Sequence, residues 1–151
     1  VGYAITTIDL KISGDIYISP DDSNFDVNFT AATITTTGTA VGKTDVATEG
    51  DGKTATLSVK SLKTVGEKVI AEYTITNNSK AGINATLTNP TATLTDDAAK
   101  EYYTVTTTFA DPNPIAPNGT KKLTVTVELV KAPLEEVTGA FNITFKANAT
   151  N

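Results

Sequence analysis

The sequence predicts an all-β fold, an antiparallel β-sandwich of jelly-roll type, and three observations carry that prediction. Thr is the commonest residue, at 30 of 151, and Thr and Val suit an extended backbone because branching at Cβ stiffens χ1. Apolar and polar residues alternate with period two over runs of several residues, as half-buried strands require. Clusters of Gly, Pro, Asn and Asp separate these runs as turns.

The elements follow in chain order. An opening strand carries Leu10, Ile12, Ile16 and Ile18 on one face, with an interruption at Ser13-Gly14. The turn Pro20-Asp21-Asp22-Ser23-Asn24 leads into a strand with Phe25, Val27, Phe29 and Ala31 inward. A Thr/Gly-rich stretch, TITTTGTAVGKT, runs into the polar loop TEGDGK. Two strands come next, one carrying Ala55, Leu57 and Val59, the other Val69, Ala71, Tyr73 and Ile75. The turn NNSKAG precedes a short strand, INATLT, and DDAAKE at 96–101 is the one stretch with helical character. A strand YYTVTTTF and the loop DPNPIAPNGT lead to the two clearest strands. Leu123, Val125, Val127 and Leu129 share one face of the first; Phe141, Ile143, Phe145 and Ala147 share one face of the second. No repeat or boundary divides the chain, so 1–151 reads as a single β-sandwich domain.

Composition narrows function. At 39% hydrophobic and 19% charged residues the chain is globular, and at this length it buries about two-thirds of its unfolded surface. There is no Cys, His, Trp or Met, and all twelve basic residues are Lys. That removes thiol nucleophiles, His-based triads, ordinary zinc and haem ligand sets, and the bidentate Arg that reads bases. The expectation is therefore no enzymatic activity, no catalytic or metal-ligating residue and no cofactor. A net charge of −5 argues against nucleic acid as a partner. A chain lacking Met even at position 1 reads as cut from a precursor, most commonly by removal of a secretory signal. No run of 18 apolar residues is present to span a membrane. An extracellular location, at the cell surface or in a matrix, is expected.

Three local patterns point to a family: the opening VGYAITTIDLKISGDIYIS, the segment GEKVIAEYTITNNSKAGINATLT, and PIAPNGTKKLTVTVEL. Together they resemble the TasA/camelysin family of exported bacterial and archaeal fibre proteins. The resemblance implies a jelly-roll subunit of biofilm-matrix fibres or bundling pili, with itself as partner in a homopolymer and matrix polysaccharide as a further one. It also implies that an N-terminal segment, here residues 1–10, leaves its own subunit and completes a sheet of the next. Val1, Tyr3 and Ile5 form one face of that segment, and Ala4, Ile8 and Leu10 belong to the other. The residues alone fit equally well a first strand of the chain's own sheet. Metalloprotease chemistry attributed to camelysins does not carry over, because the chain has no His and no HExxH motif. The rival reading is a monomeric cell-surface adhesin or carbohydrate-binding sandwich domain.

Other groupings have bland readings beside functional ones. Asp15, Asp21, Asp22 and Asp26 flank one turn, and Asp45, Glu49 and Asp51 another. Such oxygen ligands suit calcium, yet the Gly and closing Glu of an EF-hand loop are missing, and solvated turn carboxylates fit better. Six N-x-[ST] sequons occur, at Asn28, Asn77, Asn84, Asn118, Asn142 and Asn148. With Ser and Thr about a quarter of the chain, eleven Asn would produce only two or three by chance. They read as candidate N-glycosylation sites or as a by-product of a Thr-rich β protein. Phe25, Phe29, Phe141 and Phe145 fall on inward faces and read as core. Tyr102-Tyr103 reads as packing before it reads as a carbohydrate platform. Whether an internal Lys–Asn isopeptide bond can form depends on which Lys is buried, and the sequence does not say.

Overall fold

The computed structural model of the protein describes residues 9–19, 24–46, 52–110 and 113–150. Among these residues ten strands follow one another: β1 (Leu10–Ser19), β2 (Val27–Thr36), β3 (Val41–Asp45), β4 (Thr54–Leu62), β5 (Lys68–Asn77), β6 (Asn84–Leu87), β7 (Thr91–Leu94), β8 (Tyr103–Phe109), β9 (Thr120–Leu129) and β10 (Val137–Thr150). They make two sheets. The first has the order β3-β4-β1-β10-β6, with β7 also paired to β10; the second is β2-β5-β9-β8. The long β10 serves β7 through Phe141–Thr144 and β6 through Ala147–Thr150.

Period-two alternation builds the core. Val69, Ala71, Tyr73 and Ile75 of β5 and Leu123, Val125, Val127 and Leu129 of β9 are fully buried. They meet Ile12, Ile16, Leu57, Val59, Phe141 and Ile143 from the first sheet in one cluster. Phe109, Phe145, Phe29 and Tyr73 form an edge-to-face series with centroids 5.6, 6.1 and 5.7 Å apart, linking β8, β10, β2 and β5. Phe25, Phe29, Phe141 and Phe145 are all buried, as their inward positions require.

Several expectations need correction. Pairing is not wholly antiparallel: β1 runs parallel to β10, from Leu10↔Val137 to Ser19↔Lys146. These strands lie at opposite ends of the chain, so no hairpin dictates their direction, and side-chain periodicity is blind to it. Ser13-Gly14 does not interrupt β1. Gly14 faces the core, and a Cβ there would overlap the Phe141 ring, so the missing side chain is what makes room for the ring. Ala31 is exposed rather than inward, because a bulge between Phe29 and Ala31 shifts the phase of β2 and turns Ala32 and Ile34 to the core side. The 96–101 segment is not a helix. It forms consecutive turns, Ala99 N donating to Asp96 O and Tyr102 N to Ala99 O. A stretch this short cannot offset the cost of helix nucleation, and the Asp96 carboxylate holds the Ala98 N–H in a local turn at 3.0 Å.

Candidate functional site

The edges of the two sheets are managed differently. On one side β3 curls over the second sheet, so that Gly42 lies against Ile34 and Val69. The outer edge of β6 is occupied by the 113–115 loop. There Asn113 Nδ2 donates to Leu87 O, Asn113 Oδ1 accepts from Leu87 N, and Ala85 exchanges backbone hydrogen bonds with Ile115. On the opposite side, among the described residues, no strand pairs with the outer edge of β8, and β7 pairs only with β10. The inward residues there are half-buried where their counterparts in central strands are fully buried: Ala92 and Leu94 of β7, Val105 and Phe109 of β8. An edge with unpaired backbone groups and half-covered apolar side chains can accept another strand.

Of the residues expected to donate such a strand, Val1, Tyr3, Ala4, Ile5 and Ile8 lie outside the described residues. Leu10 does not belong with them. It is the first residue of β1, fully buried in its own core and paired with both Val137 and Leu62. The alternation runs unbroken through Ile8, Leu10 and Ile12, so nothing in the pattern marks where self-pairing starts.

A second constellation joins the two sheets. Lys53, just before β4, is 9% exposed. Its ammonium donates to Asp26 Oδ1 at 2.7 Å, to Val27 O at 2.6 Å and to Asn28 Oδ1 at 2.6 Å. The Asn28 carboxamide turns its Nδ2 to the other Asp26 oxygen, Oδ2, at 3.2 Å. Lys53, Asp26 and Asn28 thus close a ring of hydrogen bonds between the start of β2 and the start of β4. The backbone holds this ring from several sides. Phe29 N donates to Gly52 O, Ile18 N to Lys53 O, and Asp26 N to Ser79 Oγ. Gly52 sits at φ +73, where a Cβ would also crowd the Asn28 side chain at 3.0 Å, a place that favours glycine. The hydrogen bond from Lys53 holds the Asp26 carboxyl below the usual carboxylate range, against a smaller opposing effect of burial.

Two other buried polar residues tie loops together. Burial alone would push the Glu67 carboxyl up. Hydrogen bonds from the backbone N–H groups of Thr39, Lys63 and Thr64 and from the Thr39 hydroxyl outweigh it and bring the pKa to about 2. Glu67 therefore fastens the β2–β3 turn to the β4–β5 turn. Asn77 is fully buried; its Nδ2 donates to Ile83 O at 3.0 Å and Ile115 O at 2.9 Å, and its Oδ1 accepts from Ser79 N.

No family model, curated protein or solved structure matches the chain.

The remaining sequence candidates separate by environment. Asn77 leaves the set of glycan acceptors, because its amide nitrogen is buried and committed to two carbonyls and no sugar fits there. Asn118 and Asn148 are exposed, whereas Asn28, Asn84 and Asn142 are half-buried. Asn142, expected on an open face, sits between Asp15 and Thr93 in register. Among the described residues no three acidic side chains converge on one point; Asp26 is engaged by Lys53, and Asp15 accepts from the Tyr17 hydroxyl. Asp21, Asp22, Glu49 and Asp51 lie outside the described residues. Tyr102 and Tyr103 form no platform: Tyr103 is buried, its hydroxyl donating to Ala140 O at 3.0 Å. Among the described residues two lysines are buried, Lys53 and Lys121, and the Lys53 ring was missed because alternation along one strand does not show which side chains a buried lysine meets.

Proposed function

We propose that this chain is a non-enzymatic structural subunit of an extracellular filament, of the biofilm-matrix or pilus kind, and that subunits join by strand donation. The observation that carries the reading is the β7–β8 side, where among the described residues no strand pairs with the outer edge of β8, and Ala92, Leu94, Val105 and Phe109 are only half-buried. The donor is residues 1–8 of another copy, a boundary shorter by two than the sequence pattern suggested. Those residues contain no Pro and no charged side chain, so they suit an apolar slot. Two sheets around one core support a jelly-roll sandwich as the subunit fold, the parallel β1–β10 pair being a departure from the all-antiparallel form. The absence of His, Cys and Arg from the chain supports a structural role over a catalytic one. The resemblance to TasA/camelysin proteins rests on the three sequence patterns alone.

Deletion of residues 1–8 tests the proposal. The shortened protein should remain folded by circular dichroism, since β1 begins at Leu10, and should show no filaments by electron microscopy where the full chain does. Filaments from the deletion protein, or none from the full chain, would sink it.

A further inference from the structure

We propose that Lys53 and Asn28 are an autocatalytic cross-linking pair, joined in the mature domain by an isopeptide bond, with Asp26 as the catalytic residue. The geometry supplies each part of such a reaction. The Lys53 amine is held against the Asn28 carboxamide, 2.6 Å from its oxygen. One carboxylate touches both reacting nitrogens, Asp26 Oδ1 with Lys53 Nζ at 2.7 Å and Oδ2 with Asn28 Nδ2 at 3.2 Å. A plain ion pair needs Lys53 and Asp26 alone. Here the carboxamide completes a ring in which a proton can leave one nitrogen and reach the other without either residue moving far. Lys53 is nearly enclosed, its side chain 11% exposed, while that of Asp26 is 43% exposed and gives the leaving group a way out.

The step balances without a co-reactant. Asp26 takes a proton from the Lys53 ammonium, and the free amine attacks Asn28 Cγ. The Nζ–Cγ bond forms, Asp26 returns its proton to Nδ2, and the Cγ–Nδ2 bond breaks. Ammonia departs and carries off the second proton that Nζ must shed, as ammonium. No atom is oxidised or reduced, and the charge of the lysine leaves with the nitrogen. The product ties the start of β2 in one sheet to the start of β4 in the other, in a chain with no Cys to form a disulfide. It also consumes the Asn28 nitrogen, so glycosylation and cross-linking at Asn28 exclude each other.

Intact mass of the folded full-length chain tests this. The wild-type protein should be lighter than its sequence by one ammonia, while Lys53→Arg, Asn28→Ala and Asp26→Ala should have full sequence mass. Trypsin should fail to cut after Lys53 and should release one branched peptide joining residues 12–43 to residues 44–60. Wild-type protein that keeps its full mass after prolonged incubation in the folded state would overturn the proposal. So would an ammonia loss that maps to a succinimide at Asn118-Gly119 with Lys53 still cleaved. If the variants do not fold, the wild-type mass and its branched peptide decide alone. The bond does not depend on filament formation, and a monomer would carry it equally.

Discussion

Buried polar residues in this protein hold loops together, and Glu67 shows how strongly. Its folded pKa of about 2 lies below the ordinary 4.5. A group depressed on folding contributes stability that is present above its unfolded pKa and lost as pH falls through the folded one. That window here runs from about pH 5 down to about pH 2. A difference of roughly 2.5 pH units corresponds to about 3 kcal/mol. Glu67→Gln should therefore be less stable than wild type at pH 7 by about 2–3 kcal/mol, since an amide would face N–H donors. In urea titrations at stepped pH the gap should close towards pH 2. A gap that stays constant with acid would show that the carboxylate is not its source. None of this was legible in the sequence, because Glu67 sits in a turn without periodicity. Lys53 and Asn77 were hidden for a different reason: both fall in phase with inward strand residues, where alternation alone leads one to expect an apolar side chain.

Individual strands were legible where alternation was long. β4, β5, β9 and β10 are recognisable from their apolar residues alone, because each places three or four on one face over five to seven residues. β3 and β7 were not, being short and made largely of Thr, Gly and Ala. A bulge and a parallel pairing were equally hidden, since both concern partners and not the strand itself. Gly14 was read as a break and is instead a packing device: β1 passes under the Phe141 ring because residue 14 has no side chain. Phe141 is 1% exposed and fixed by the core around it, so its ring has little freedom to swing away. Gly14→Ala should cost about 1–3 kcal/mol by overpacking. Combined with Phe141→Leu, the loss should fall clearly short of the sum of the two single variants. Strict additivity in chemical denaturation would mean that the glycine serves some other purpose.

At the scale of the molecule, the decisive property is the asymmetry of its edges among the described residues: β3 curled over the second sheet on one side, the β6 edge filled by the 113–115 loop, and no described strand on the outer edge of β8. If subunits assemble through that side, as proposed, assembly has a consequence that a monomeric binder would not share. Val105 lies mid-way along β8 with its side chain half-buried on the core side. In the free subunit an aspartate at that position reaches water past an edge that no described strand pairs, and the cost should stay within about 1–2 kcal/mol. Once a donated strand covers the edge, the same charge is enclosed among Leu94, Phe109 and the incoming apolar side chains. Burying an unpaired polar or charged group there costs at least 2 kcal/mol, roughly, and far more for a full charge. Backbone pairing contributes about 0.5–1.5 kcal/mol net per hydrogen bond and cannot offset that cost at every junction of a filament. Val105→Asp should therefore give a folded monomer with near-native circular dichroism and no filaments by sedimentation or electron microscopy. Thr106→Asp places the same charge on the exposed outer face of the same strand, and it should polymerise as wild type does. If Val105→Asp forms normal filaments, the accepting edge is not β8, and the strand-donation reading must find another groove or be given up.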